Sequence, residues 1–114
     1  MSRNGAEQEQ FFKALSALEG VLDDNARRAK LIKKRIASAR RLRSQGKSYR
    51  ELVSSEDGPL IVHLLTESSA ELDTCGARVR RAEAEALYAE GMTMEEIAEA
   101  FDVTRQRVSA LLSR

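Results

Sequence analysis

The chain has 114 residues, a net charge of +1, five aromatic residues, and a single Pro, Cys and His. This length fits one compact domain or a small domain with a helical extension, and the abundance of Ala, Leu, Glu and Arg favours an all-α fold. A lone cysteine excludes an intramolecular disulfide, and one His with one Cys at no ligand-like spacing argues against a metal site. No apolar run is long enough to span a membrane and no signal-peptide pattern is present, so the expected location is the cytoplasm. The sequence contains no nucleophile motif, no glycine-rich phosphate loop after a strand and no alternating β pattern. Neither an enzyme nor a cofactor is expected.

Met1 to about Ala6 lacks a pattern and is expected to fray. From Phe11 apolar spacing becomes regular through Leu15, Leu18, Leu22, Asn25, Ala29, Ile32, Ile36 and Ala39, in alternating steps of four and three. This predicts one long helix from about Gln8 to about Ser44, with a bend allowed near Asp23-Asp24-Asn25. Asn25 on that seam is either a register-setting polar residue with a matching group opposite or the junction of two shorter helices. Charge is segregated along the same helix: eleven basic residues and no acid lie between Asn25 and Arg50, then six acids and no Lys or Arg from Glu51 to Asp73. One reading has the two blocks fold back on each other with complementary flanks. The other has the basic stripe, with Arg40, Arg41, Arg43 and Lys47 at its end, contact phosphates or hold an anionic effector such as a cyclic dinucleotide.

Gly46-Lys47-Ser48 ends this helix, and Ser48-Tyr49-Arg50-Glu51 has the capping-box pattern. Ala39-x-x-Leu42-x-x-x-Gly46-x-Ser48-x-x-Glu51-Leu52 aligns without a gap to Ala84-x-x-Leu87-x-x-x-Gly91-x-Thr93-x-x-Glu96-Ile97. The two stretches are either an internal repeat or chance likeness between two helix–Gly–cap units. Under the first reading Ser54 to Pro59 is a loop, and Leu60 to Leu65 is the buried second helix of a degenerate copy. Pro59 suits a helix start. A second heptad-like series follows in Ile61, Leu65, Ser68, Leu72, Cys75, Val79, Ala82 and Ala86, consistent with one helix reaching Tyr88. Two long apolar-striped helices in so short a chain are good material for a homodimer. The expected divisions are 1–58, a long basic helix with a degenerate turn; 59–81, a connecting helix; and 82–114, a compact C-terminal unit.

In that last unit Gly91 breaks a helical pattern, and Thr93-Met94-Glu95-Glu96 is a second capping box. Ile97, Ala98 and Phe101 form the apolar face of a short helix, with Ala98 small enough for a close crossing and Val103 beneath the turn. Thr104 caps the next helix, whose apolar face is Val108, Leu111 and Leu112. Together these are a helix-turn-helix.

Gly91, Thr93, Glu96-Ile97-Ala98, Val103-Thr104-Arg105, Val108 and Leu111-Leu112 resemble the helix-turn-helix of small bacterial transcription regulators, of the type in sigma-factor region 4 and resolvase-like recombinases. The resemblance covers about a quarter of the chain. Where that family usually places glycine in the turn, this chain has Asp102, which tolerates a left-handed backbone better than most residues. The resemblance implies that the helix from Thr104 enters the major groove of double-stranded DNA and that the chain acts in the nucleoid. Thr104, Arg105, Gln106, Arg107 and Ser109 would be its DNA-facing residues, with Ala110 beside them. Arg105 suits guanine, Gln106 suits adenine, and Thr104 suits a phosphate. The alternative is that these residues are the solvated face of a terminal helix. From Ala82 onward three arginines stand against seven acids, a field that repels DNA. Those acids motivate a rival reading, an adaptor that grips RNA polymerase, a sigma factor or another regulator.

Overall fold

The computed structural model describes residues 3–56 and 58–113. The chain is all α, with helices α1 (Arg3–Ser44), α2 (Tyr49–Ser54), α3 (Ile61–Ala89), α4 (Met94–Phe101) and α5 (Arg105–Leu112). It divides into two compact units, one made of residues 1–19 with 73–114 and the other of residues 20–72. The long N-terminal helix packs against α3.

α1 starts at Arg3, earlier than the Gln8 expected from the pattern, and runs unbroken through Asp23-Asp24-Asn25. Asp24 is held by Arg27 one turn on, and the Asn25 Oδ1 accepts a hydrogen bond from Arg28 Nη1 at 3.0 Å. The Asn25 side chain is thus satisfied by its own helix and marks no junction. Arg41 and Arg43 lie in the last turn of α1, where they complement the negative end of the helix dipole.

In the second unit the register of α1 differs from the apolar count. The half-buried positions are Val21, Asn25, Arg28, Ile32, Arg35, Ala39 and Leu42, whereas Leu22, Ala29 and Ile36 are exposed. On α3, Leu64 is buried and Ser68 and Glu71 are half-buried, while Leu65 and Leu72 are exposed. The reason is that arginines occupy two seam positions. Their aliphatic stems lie in the seam and their charged heads reach acids, so a count restricted to apolar residues steps one position too far. Arg28 donates to Glu71 at 2.6 Å and to Glu67 at 3.0 Å, and Arg35 lies 3.6 Å from Glu56. The hydrogen bond from Glu71 first, and the nearby Glu67 carboxylate as well, raise the Arg28 pKa above its ordinary value. The two charge blocks therefore do meet, but only through these seam residues. Lys30, Lys33, Lys34 and Arg40 form no ion pair among the described residues.

The expectation of a buried second helix after Ser48 is also corrected. α2 is a single short turn-and-a-half that buries no residue, and Ile61 to Leu65 form the start of the long α3, with Val62 and Leu65 facing solvent.

In the first unit Ala14 of α1 and Cys75 of α3 are buried, and Gln8 donates a hydrogen bond to Glu90. His63 belongs to the second unit, where it is exposed rather than half-buried in its helix. Among the described residues no group of His, Cys, Asp and Glu could hold a metal ion, and no helix is long and apolar enough to cross a membrane.

Candidate nucleic-acid interface

The C-terminal helices are positioned by local chemistry first. Gly91 takes φ +104°, where a side chain would be strained, and the Met92 N–H donates to the Leu87 carbonyl at 3.1 Å to close the end of α3. Thr93 caps α4 reciprocally: its Oγ1 accepts from the Glu96 N–H at 3.1 Å, and its own N–H donates to Glu96 Oε1 at 2.9 Å. Asp102 ends α4 in the left-handed region at φ 56°, ψ 47°. The turn therefore has the geometry that glycine usually supplies. Thr104 then caps α5, accepting from the Arg107 N–H at 3.0 Å.

Packing completes the motif. Ala84 of α3, Ile97 and Ala98 of α4, and Val108 and Leu111 of α5 form one buried cluster, with Leu87, Met92, Met94, Phe101 and Leu112 packed around it. Ile97 and Val108 are fully enclosed. Val103 does not plug the turn as expected and is 40% exposed. It contributes its main chain instead, donating to the Ala98 carbonyl at 3.0 Å, and Met92, Met94 and Phe101 close the core around the turn.

With Val108 and Leu111 turned inward, a rotation of about 100° per residue puts Gln106 and Ala110 on the outermost line of α5. Ser109 lies beside them, and Arg105 and Arg107 occupy the two flanks. All five are exposed, as is Thr104. The structure thus brings the six residues together on one helix and its cap. Thr104 has already committed an oxygen lone pair to its cap, though its hydroxyl hydrogen can still be donated. Arg105 is engaged as well, its Nε 2.7 Å from Glu95 Oε1 at the start of α4. The linear pattern carries no sign of that contact, because it depends on how the two helix starts converge.

Arg40, Arg41, Arg43 and Lys47 are in the other unit, all exposed. Arg43 is partly engaged: its Nη1 donates to the Lys47 carbonyl at 2.9 Å and its guanidinium lies 4.8 Å from the Tyr49 ring centroid. Arg41 makes a long contact to Ser38 Oγ at 3.4 Å.

A family model described as a homeodomain-like domain matches residues 77–114. The chain thus carries a homeodomain-like helix-turn-helix at its C-terminus, and such a domain suggests DNA binding. No curated protein and no solved structure matches the chain. The matched segment begins before the Ala82 boundary drawn from sequence and takes in Arg78, Arg80 and Arg81. Counted from 77, six arginines stand against seven acids, so the domain is close to neutral rather than strongly acidic. Arg78 and Arg80 are exposed. They were passed over because they precede Ala84, where the resemblance begins.

Proposed function

We propose that this protein is a sequence-specific, DNA-binding transcription regulator that acts as a homodimer in the cytoplasm, on the nucleoid. The observation that supports it most is the division of α5. Val108 and Leu111 anchor the helix in the buried cluster, and the opposite side carries Gln106, Ser109 and Ala110 between two flanking arginines. Gln106 would read a base edge, adenine being the best match for its paired donor and acceptor. Arg105 would leave Glu95 for guanine or phosphate, while Arg107 and the Thr104 hydroxyl would hold phosphates. Residues 82–114, extended by Arg78 and Arg80, would be the reading unit. The unpaired cations of α1, with Arg40, Arg41, Arg43 and Lys47, would add phosphate contacts.

The test starts from DNA sites selected out of a random pool by the full chain. Gln106→Ala and Arg105→Ala are each expected to weaken binding to the selected site by about 1–3 kcal/mol and to relax base preference. Wild-type affinity and preference in both variants would overturn the recognition-helix assignment. Arg40→Gln, Arg41→Gln and Arg43→Gln together are expected to flatten the salt dependence of binding, each lost phosphate contact removing about one unit of slope.

The contact between Arg105 and Glu95 favours a second reading. A recognition arginine already neutralised, on a surface with Glu83, Glu85, Glu90 and Glu99, suits a protein-interaction adaptor for RNA polymerase, a sigma factor or another regulator. That reading predicts no selected DNA site at all. A cyclic dinucleotide held by Arg40, Arg41, Arg43 and Lys47 would instead raise the melting temperature of the parent and not of the triple variant.

A further inference from the structure

Residues 20–72 bury one apolar side chain, Leu64, among the described residues, and leave Leu22, Ile36, Val62, Leu65 and Leu72 between 36% and 59% exposed. A pair of helices with so small an interior has little to oppose its ordering entropy, and it calls for a covering partner. The exposed residues are not scattered. Leu22, Ala29 and Ile36 each follow a seam position of α1 (Val21, Arg28, Arg35), and Leu65 and Leu72 each follow one of α3 (Leu64, Glu71). In an antiparallel helix pair, the positions that follow the second seam residue of each heptad lie on the same side of both helices.

The bonds from Arg28 to Glu67 and Glu71 fix the register within this unit. Along the pair the order is then Ile36, Leu65, Ala29, Leu72, Leu22, an apolar ridge about 21 Å long at 1.5 Å per residue. The other side is occupied differently: Leu31 and Ser38 line a cavity of about 310 Å³ with Leu52 and Val53 of the α2 turn.

We propose that this ridge is the self-association face, joining two copies of residues 20–72 into a four-helix bundle with α1 of each copy against α3 of its partner. Charge selects a second copy as the occupant. The α1 side carries the unpaired Lys30, Lys33, Lys34 and Arg40, whereas residues 61–72 of α3 carry Glu67 and Glu71 and no Lys or Arg. A two-fold arrangement with α1 on the partner's α3 brings opposite signs together, and a pairing of α1 with α1 would stack cations. Ala29 at the centre of the ridge lets the pairs approach closely. This deepens the homodimer reading given above and is independent of whether α5 reads DNA.

The experiment is sedimentation equilibrium and thermal melting of the full chain across micromolar concentrations. The parent is expected to be a dimer whose melting temperature rises with concentration. Leu65→Lys with Leu72→Lys should weaken dimerisation at least tenfold and remove the concentration dependence. His63→Lys with Ala70→Lys, which puts the same charge on another face of α3, should leave the dimer intact. Circular dichroism follows helix content, so a double variant that dissociates and loses helix together still supports the proposal when the control variant keeps both. A parent that is monomeric at every concentration, or a dimer indifferent to Leu65→Lys with Leu72→Lys, overturns it. A monomer that still binds its selected DNA site would sink this proposal alone. A dimer that selects no site would sink only the recognition-helix reading.

Discussion

The chain contains two stretches that begin identically and end differently. Around Gly46 and around Gly91 a long helix stops at a glycine with positive φ, 85° and 104° respectively. The next N–H but one bonds back over the break, Lys47 to the Leu42 carbonyl and Met92 to the Leu87 carbonyl, both at 3.1 Å. A Ser or Thr then forms a full capping box with a Glu three residues on. Past that point they diverge. α4 buries Ile97 and Ala98, whereas α2 buries nothing and leaves Val53 52% exposed. Asp102 turns the chain with a left-handed backbone so that α5 can fold back onto α4, while Ser55 at the same place in the first copy stays right-handed at φ −85°. Two equivalent local signals therefore yield a helix-turn-helix in one case and a bare helical turn in the other. A cap decides where a helix starts, and a packed partner decides whether the helix becomes part of a core.

That contrast can be broken by substitution at equivalent positions, read by chemical denaturation with the C-terminal unit followed separately by amide exchange. The largest effect is expected at Ile97→Ala, which empties a fully buried site and should cost about 2–5 kcal/mol, against well under that for Leu52→Ala on the half-exposed α2. A cost at Leu52 equal to that at Ile97 would mean that the first copy is as tightly packed as the second.

Next is Ala98→Leu, where added methylenes have no room at the crossing and should cost about 1–3 kcal/mol. Val53→Leu in the first copy should stay within about 0.5 kcal/mol, as surface changes do. The smallest difference is expected at the caps. Thr93→Ala should cost about 1 kcal/mol, and Ser48→Ala should lower local protection near α2 with little change in global stability. If Ser48→Ala lowers global stability more than Thr93→Ala, the ranking of the two copies is reversed.

The division between local and tertiary information also accounts for what could be read from residue order. Helix starts and stops at Gly46, Ser48, Gly91, Thr93 and Thr104 followed from the residues alone, because a cap is a contact between atoms three or four residues apart. The left-handed turn at Asp102 was legible for the same reason, and so were the outward residues of α5, whose inward face Val108 and Leu111 define. Three features depended on the tertiary structure. The seam of α1 was displaced by one position because Arg28 and Arg35 are seam residues only when Glu67, Glu71 and Glu56 lie opposite, and a linear apolar count cannot register a charge paired across the fold. Val103 was left in solvent because Met92, Met94 and Phe101, drawn together from separate segments, already close the core around the turn. Arg105 was drawn to Glu95 because the starts of α4 and α5 converge once Ile97, Ala98, Val108 and Leu111 are packed. Short-range hydrogen bonds and backbone preferences are written in the order of the residues, whereas the choice among several apolar or charged neighbours is made by whichever arrangement buries and pairs them best.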